Sequence, residues 1–277
     1  MNWKELMFRK GQVRVGVVGI VIASVLLNII RLYEVVNSNT RCTKVFLDLG
    51  SNIGDAIEMF MYPEGLDGKP WGPQIANSPL VAAIQGHGWE AKDFCIFGFE
   101  GNPVHTKTLQ SIVSRHRRNA KRLEVFTETL VSTEDGSATL YTDGNEEKAF
   151  WGASMLLGHR GVDQGKKGGV RVRSINFRNF IKRLVAEGTE GSRPPLIVIK
   201  MDIEGAEYQI LPYLNETGSL CRDISFLFLE DHAWLFKDEE GERFRQYDGA
   251  LRRLADNPGC RMKLFTGMAT MNVKSGG

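Results

Sequence analysis

"FLDLGSNIGDAIEMF", residues 46–60, decides how the rest of the chain is read. An apolar run leads into Asp48. Gly50 and Gly54 follow, with Ser51 and Asn52 between them, and a helical pattern opens near Asp55. Strand, tight turn and helix start succeed one another within fifteen residues. Glycines in such a turn let backbone approach a neighbour closely, and the helix start offers N–H groups with no intrahelical partner. The stretch is therefore either a tight turn alone or the seat of a cofactor. It is not GxGxxG, and no phosphate-reading lysine follows it, so the turn cannot choose by itself.

Working outward, short apolar runs recur at "KVFLDLG" (44–50), "DFCIFGFE" (93–100), "LEVFTETL" (123–130), "LIVIKMD" (196–202) and "ISFLFLE" (224–230). Continuous runs of this kind suit strands buried on both faces. Helical patterns lie between several of them, so the expected fold is α/β, with a doubly wound and mostly parallel sheet. "SATLYTD" (137–143) and "GVRVRSINF" (169–177) alternate more and read as extra β pieces joined by a glycine-rich loop. Residues 61–92 hold four of the nine prolines and form an insert longer than ordinary connections.

The first forty residues have a different character. Val15 to Ile30 carries no charge and is preceded by Lys4, Arg9, Lys10 and Arg14. The run is long enough for a short bilayer span, and Asn28 to Arg31 makes a poor signal cleavage site. The expected organisation is a cytoplasmic tail (1–14), a transmembrane signal anchor (15–33), a linker (34–43) and one domain (44–277). The positive charges place the tail in the cytoplasm and the domain in the lumen, and a short span suits the endoplasmic reticulum or Golgi. Cys42, Cys95, Cys221 and Cys260 would then meet an oxidising compartment. Their three possible pairings stay open, and no spacing suggests zinc. A net charge of +2 over 277 residues argues against a nucleic-acid surface. The one dense basic stretch, Arg115 to Arg122, reads as the solvated end of a helix.

Acids gather where the strands end. Glu100 closes the second strand, where a ribose diol is held by hydroxyl-to-carboxylate hydrogen bonds, although the insert lengthens the usual separation from the glycine turn. Asp202 and Glu204 close the fourth strand ahead of Gly205 and Ala206, and "FLEDHAW" sets Glu230, Asp231 and His232 on the same rim.

Taken in order, "FLDLGSNIGD", "FEGNP" and "IKMDIEGAEYQIL", with "FLEDHAW" downstream, resemble the FkbM-type methyltransferases, a branch of the class I S-adenosylmethionine-dependent enzymes. The resemblance covers roughly residues 44 to 235 and implies a seven-stranded, Rossmann-like methyltransferase sheet. It also implies O-methylation, often of sugar or polyketide hydroxyls. Carried over, Asp48, Gly50, Asn52 and Gly54, with Ser51 and Asp55 in the same turn, belong to the methionine end of the cofactor. Glu100 takes the ribose hydroxyls with Asn102 nearby, while Asp202 and Glu204 face methyl transfer and Asp202 also touches the cofactor. The long insert and the short C-terminal part depart from the family pattern.

A hydroxyl is a poor nucleophile while protonated, so a base near it helps. His232 is the first candidate because it titrates near neutrality, and Asp202 is the second. Activation by a metal on Asp202, Glu204 and Glu230 is conceivable, but no metal is assigned. "FWGASMLL" (150–157) offers Trp151 and Ser154 as an acceptor wall or as core, and Trp71 and Trp89 could serve similarly. The expected activity is S-adenosylmethionine-dependent O-methylation of a hydroxyl-bearing acceptor, a glycan before a lipid or small molecule. A binding or scaffold protein on the same fold is the rival from another class. Oligomeric state is not legible.

Overall fold

The computed structural model describes residues 41–65, 78–142, 152–156 and 169–267. The expected tail and anchor lie outside the described residues, as do Trp71, Trp151 and much of the insert. No helix among the described residues is long and apolar enough to cross a membrane.

The strands are β1 (Lys44–Leu49), β2 (Cys95–Glu100), β3 (Arg122–Thr127), β4 (Thr129–Ser132), β5 (Gly136–Leu140), β6 (Val170–Asn176), β7 (Leu196–Met201), β8 (Phe226–Leu229) and β9 (Lys263–Thr266). The helices are α1 (Asp55–Met61), α2 (Pro79–His87), α3 (Thr106–His116), α4 (Phe177–Gly188), α5 (Glu207–Glu216), α6 (Ser219–Asp223) and α7 (Asp238–Ala255). Six strands form the main sheet in the order β3-β2-β1-β7-β8-β9, and every pairing in it is parallel. The strand order reverses between β1 and β7, which opens a crevice beyond their carboxyl ends. The described residues thus give six main-sheet strands, against the seven that the resemblance implied.

β1, β2 and β7 are almost wholly buried, which is why their sequences read as unbroken apolar runs. Phe46 stacks on Phe60 from α1, and Phe60 meets Phe94 edge-on. Trp89 packs into this same core against His87 and Phe226, so it is no sugar platform. The basic stretch closes α3, with Arg115, Arg117 and Arg118 exposed.

One expected strand divides in two. "LEVFTETL" becomes β3 and β4 because Glu128 adopts φ 53, a left-handed conformation that ends the run. β4 leaves the main sheet and joins a second one, in the order β4-β6-β5. The two alternating segments fall in this small sheet, with β6 parallel to β4 and antiparallel to β5.

The cysteines pair as Cys42–Cys95 and Cys221–Cys260, with separations of 53 and 39 residues. Cross-links over loops of that size each remove about 4 kcal/mol of unfolded-state entropy in the chain-entropy account. Cys42 is buried as well as bonded, so the expected linker ends inside the domain.

The turn glycines have reasons internal to the fold. Gly50 has φ 79, and a Cβ there would lie 1.8 Å from the carbonyl oxygen of Asp202. Gly54 has φ 85, and its Cβ would meet the Ile112 side chain on α3 at 2.4 Å. Gly50→Ala is therefore expected to destabilise the protein by about 3 kcal/mol or more, combining left-handed strain with a backbone clash. Urea unfolding with no ligand present measures this. An unchanged midpoint would mean that the glycine serves only a ligand.

Candidate active site

The centre of the site is set by register. β1 and β7 pair so that Asp48 lies opposite Lys200. Lys200 is buried, and its Nζ donates to the Gly50 carbonyl at 2.8 Å. The same ammonium lies 3.4 Å from Asp48 Oδ1 and 3.3 Å from Asp202 Oδ2. Burial alone would lower the Lys200 pKa, but Asp202, Asp48 and Asp55 outweigh it and hold the ammonium above its ordinary range. Asp48 is fully buried, and among the described residues neither of its oxygens accepts a well-formed hydrogen bond. Burial pushes its carboxyl up to about 6 against the pull of Lys200. Sequence reasoning missed Lys200, although a lysine inside the apolar run "LIVIKM" was the available signal.

Glu100 ends β2 beside this pair. Its Oε2 accepts the Asn52 N–H at 2.7 Å and its Oε1 accepts the Asn102 N–H at 2.6 Å. Burial still raises its carboxyl to about 7, against those two bonds. Each oxygen keeps a further acceptor site. Asn52 holds a left-handed φ of 45, and its buried Oδ1 has no hydrogen-bond partner among the described residues.

The third group lies past β7 and β8. Glu207, at the start of α5, is fully buried and accepts the Gly205 N–H at 2.8 Å through Oε2. Its Oε1 takes the His232 N–H at 3.2 Å and faces His232 Nδ1 at 2.9 Å. A carboxylate only accepts, so Nδ1 is the donor in that contact. His232 Nε2 then points to Asp202 Oδ1 at 3.5 Å and Glu204 Oε2 at 3.7 Å. Burial lowers the affinity of His232 for a proton, but Glu207, Glu204 and Asp202 raise its pKa to about 10. In this arrangement the ring carries a proton at neutral pH, contrary to the premise that made it the leading base. Glu230, on the same rim, is pushed up to about 8 by burial and the charge of Asp202.

Gly50, Asn52, Asp55, Glu100, Asp202 and Glu204 line one cleft at the carboxyl ends of the strands, together with Lys200 and Glu230. Asp48, Ser51, Gly54 and Asn102 stand behind that wall. Ser51 Oγ donates to the Asp48 carbonyl at 3.1 Å, and the Asn102 side chain accepts the Val104 N–H at 3.2 Å. The opposite wall is apolar and includes Leu130 from β4 and Leu140 from β5, with Ala153 and Met155 beside them. Ala153 and Met155 fall within the stretch 150–157 that the sequence offered as an acceptor wall, whereas no motif marked Leu130 or Leu140. Ser154 is buried and donates to the Glu204 carbonyl at 2.6 Å, so it shapes the wall and is not an acceptor-binding hydroxyl. Asp202, Glu204 and His232 each bring one potential metal-ligand atom within 4.8 Å of the others, whereas Glu230 is not in that group.

A parallel sheet whose crevice holds an acid at the end of β2 and a left-handed turn after β1 defines a Rossmann-like α/β protein with a cleft beyond the strand ends. The family model for the methyltransferase FkbM domain matches residues 48–257, and the chain belongs to that family. The domain is thus of methyltransferase type. No curated protein and no solved structure matches the chain. The cleft fits the cofactor of such enzymes on its own terms: Glu100 retains acceptor capacity for a diol, Asn52 Oδ1 is an unused acceptor, and the acidic rim suits a cationic ligand.

The raised His232 pKa has a testable consequence. Its folded-state value lies above the unfolded 6.5, so its stabilising effect is complete below pH 6.5 and disappears as pH rises through about 10. The unfolding free energy of wild type minus that of His232→Gln is expected to shrink across this window. Urea titrations at several pH values measure the difference, and a flat profile would refute the imidazolium assignment.

Proposed function

We propose that the protein is an S-adenosylmethionine-dependent O-methyltransferase acting on a hydroxyl of a glycan in the secretory pathway. The observation that carries the reading is Glu100, oriented by the Asn52 and Asn102 N–H groups at the end of β2 and lining the cleft. Glu100 would hold the ribose diol, and Gly50, Asn52 and Asp55 would surround the methionine end. The cofactor, when bound, supplies a methyl group on a sulfonium.

The cleft residues would align an acceptor hydroxyl with that group, and a rim carboxylate would take the hydroxyl proton. Asp202 takes that role, since its side chain lines the cleft while Lys200 holds its other oxygen. His232 then acts as a positioning residue, keeping Asp202 and Glu204 in place through Nε2. Most of the rate gain comes from alignment in a site shielded from water.

The glycan and secretory parts rest on the sequence of residues 1–33 and on the cysteines. A basic tail before an uncharged apolar run supports a single-pass anchor with the domain in the lumen of the endoplasmic reticulum or Golgi. Two disulfides that use all four cysteines agree with an oxidising compartment.

Calorimetric titration with S-adenosylhomocysteine tests the cofactor. Saturable binding is expected, with Glu100→Ala weakening it at least about tenfold, or roughly 1.4 kcal/mol. No binding by folded wild type would favour the binding-protein reading. For the acceptor, mass spectrometry of glycans from cells with wild-type or Asp202→Asn protein is expected to show methyl-sugars only with wild type. A difference confined to lipid extracts would replace the glycan with a lipid hydroxyl.

A further inference from the structure

We propose that Asp202, Glu204 and His232 form a divalent-cation site on the rim of the cleft, with Glu207 as the buried group that orients the imidazole. The site itself needs no assumption about the cofactor. Its catalytic use, described below, rests on the proposed methyl transfer.

Four observations converge. The three ligand atoms lie within 4.8 Å of one another. Ligands at about 2.0–2.2 Å from one ion are at most about 4.4 Å apart, so small side-chain adjustments suffice. The imidazole is already committed on one side, with Nδ1 at 2.9 Å from a fully buried carboxylate. That is how metal-bound histidines are held, their second nitrogen fixed by a carboxylate so that the first is aimed.

Third, His232 is 2% exposed, and its Nε2 lies 3.5 Å from Asp202 Oδ1 and 3.7 Å from Glu204 Oε2. Separations of that size are those of ligand atoms that share one ion at about 2.0–2.2 Å. Fourth, the backbone holds the ligands in a fixed and costly shape. Glu204 has φ 54, maintained by the Ser154 hydroxyl on its carbonyl and by the Glu207 carboxylate on the next N–H. Non-glycine residues in that region concentrate at functional sites.

Two carboxylates and one imidazole suit a first-row divalent ion, and Mn2+ is the one that paramagnetic resonance reads directly. Ca2+ takes six to eight oxygens, and Mg2+ favours oxygen and water over nitrogen. An octahedral Mn2+ with three protein ligands keeps about three positions for water and substrate oxygen. On binding, the ion replaces the Nε2 proton, which leaves to solvent. An acceptor hydroxyl bound to the ion becomes more acidic, and its proton passes to the ionised form of Glu230, a cleft carboxylate outside the ligand set. Asp202 is then a ligand and no longer the base.

Electron paramagnetic resonance on the full-length, chelator-stripped protein tests the site. Added Mn2+ is expected to lose its free-ion signal until one ion per chain is bound, with nitrogen coupling from an imidazole on the bound ion. Glu204→Gln and His232→Gln are expected to weaken binding at least tenfold, and His232→Gln to abolish the nitrogen coupling. Glu207→Gln is expected to weaken it about tenfold to a hundredfold. Circular dichroism of each variant checks folding, and Glu204→Gln, at the cleft surface, keeps the test decisive if His232→Gln unfolds. No saturable binding by folded wild type, or equal binding by folded Glu204→Gln, would overturn the proposal. Mn2+ binding without S-adenosylhomocysteine binding would keep the cation site and remove the methyl-transfer reading. The converse result would do the opposite.

Discussion

The buried ammonium of Lys200 is the interaction on which the site depends. It joins the ends of β1 and β7 through the Gly50 carbonyl, neutralises Asp48 inside the sheet and holds one oxygen of Asp202 at the cleft. A fully buried carboxylate such as Asp48 needs this partner, because an uncompensated charge there costs about 3–5 kcal/mol. The cleft floor and the fold therefore stand or fall together. The same ion holds the glycine turn, the strand register and the first acid of the rim.

Much of the fold was legible because its signals are local. Apolar runs bounded by glycine and acid gave every main-sheet strand of the described residues up to β8, and strand ends placed Glu100 and Asp202 at the cleft. Where the reading failed, the cause lay far away in sequence. Gly50 is glycine because a carbonyl 152 residues later occupies the space of its Cβ, and Gly54 because α3 does. Trp89 and Ser154 look like acceptor contacts in one dimension and are packing residues in three. The strand expected at 123–130 carried no marker for the left-handed Glu128 that divides it.

His232 shows the same limit in its chemistry. The sequence supplies a residue that ordinarily titrates near neutrality, but three carboxylates decide its charge. Glu207 is the most consequential of them. It lies within "DIEGAE", where it reads as one more helix-start acid, yet it is fully buried and spends both oxygens on Gly205 and His232. The motif is thus a scaffold as much as a reactive rim: two of its acids face the cleft, and the third holds them in shape.

The Cys42–Cys95 bond has a mechanical consequence. It clamps the amino ends of β1 and β2, whereas the cleft opens at their carboxyl ends. Tension arriving along the chain from before residue 42 enters β1 beside a covalent cross-brace to its neighbour. The load is shared between two adjacent interior strands at their amino ends, away from the chemistry. The domain can accordingly be pulled from its entry point without that force being routed first through the turn at Gly50.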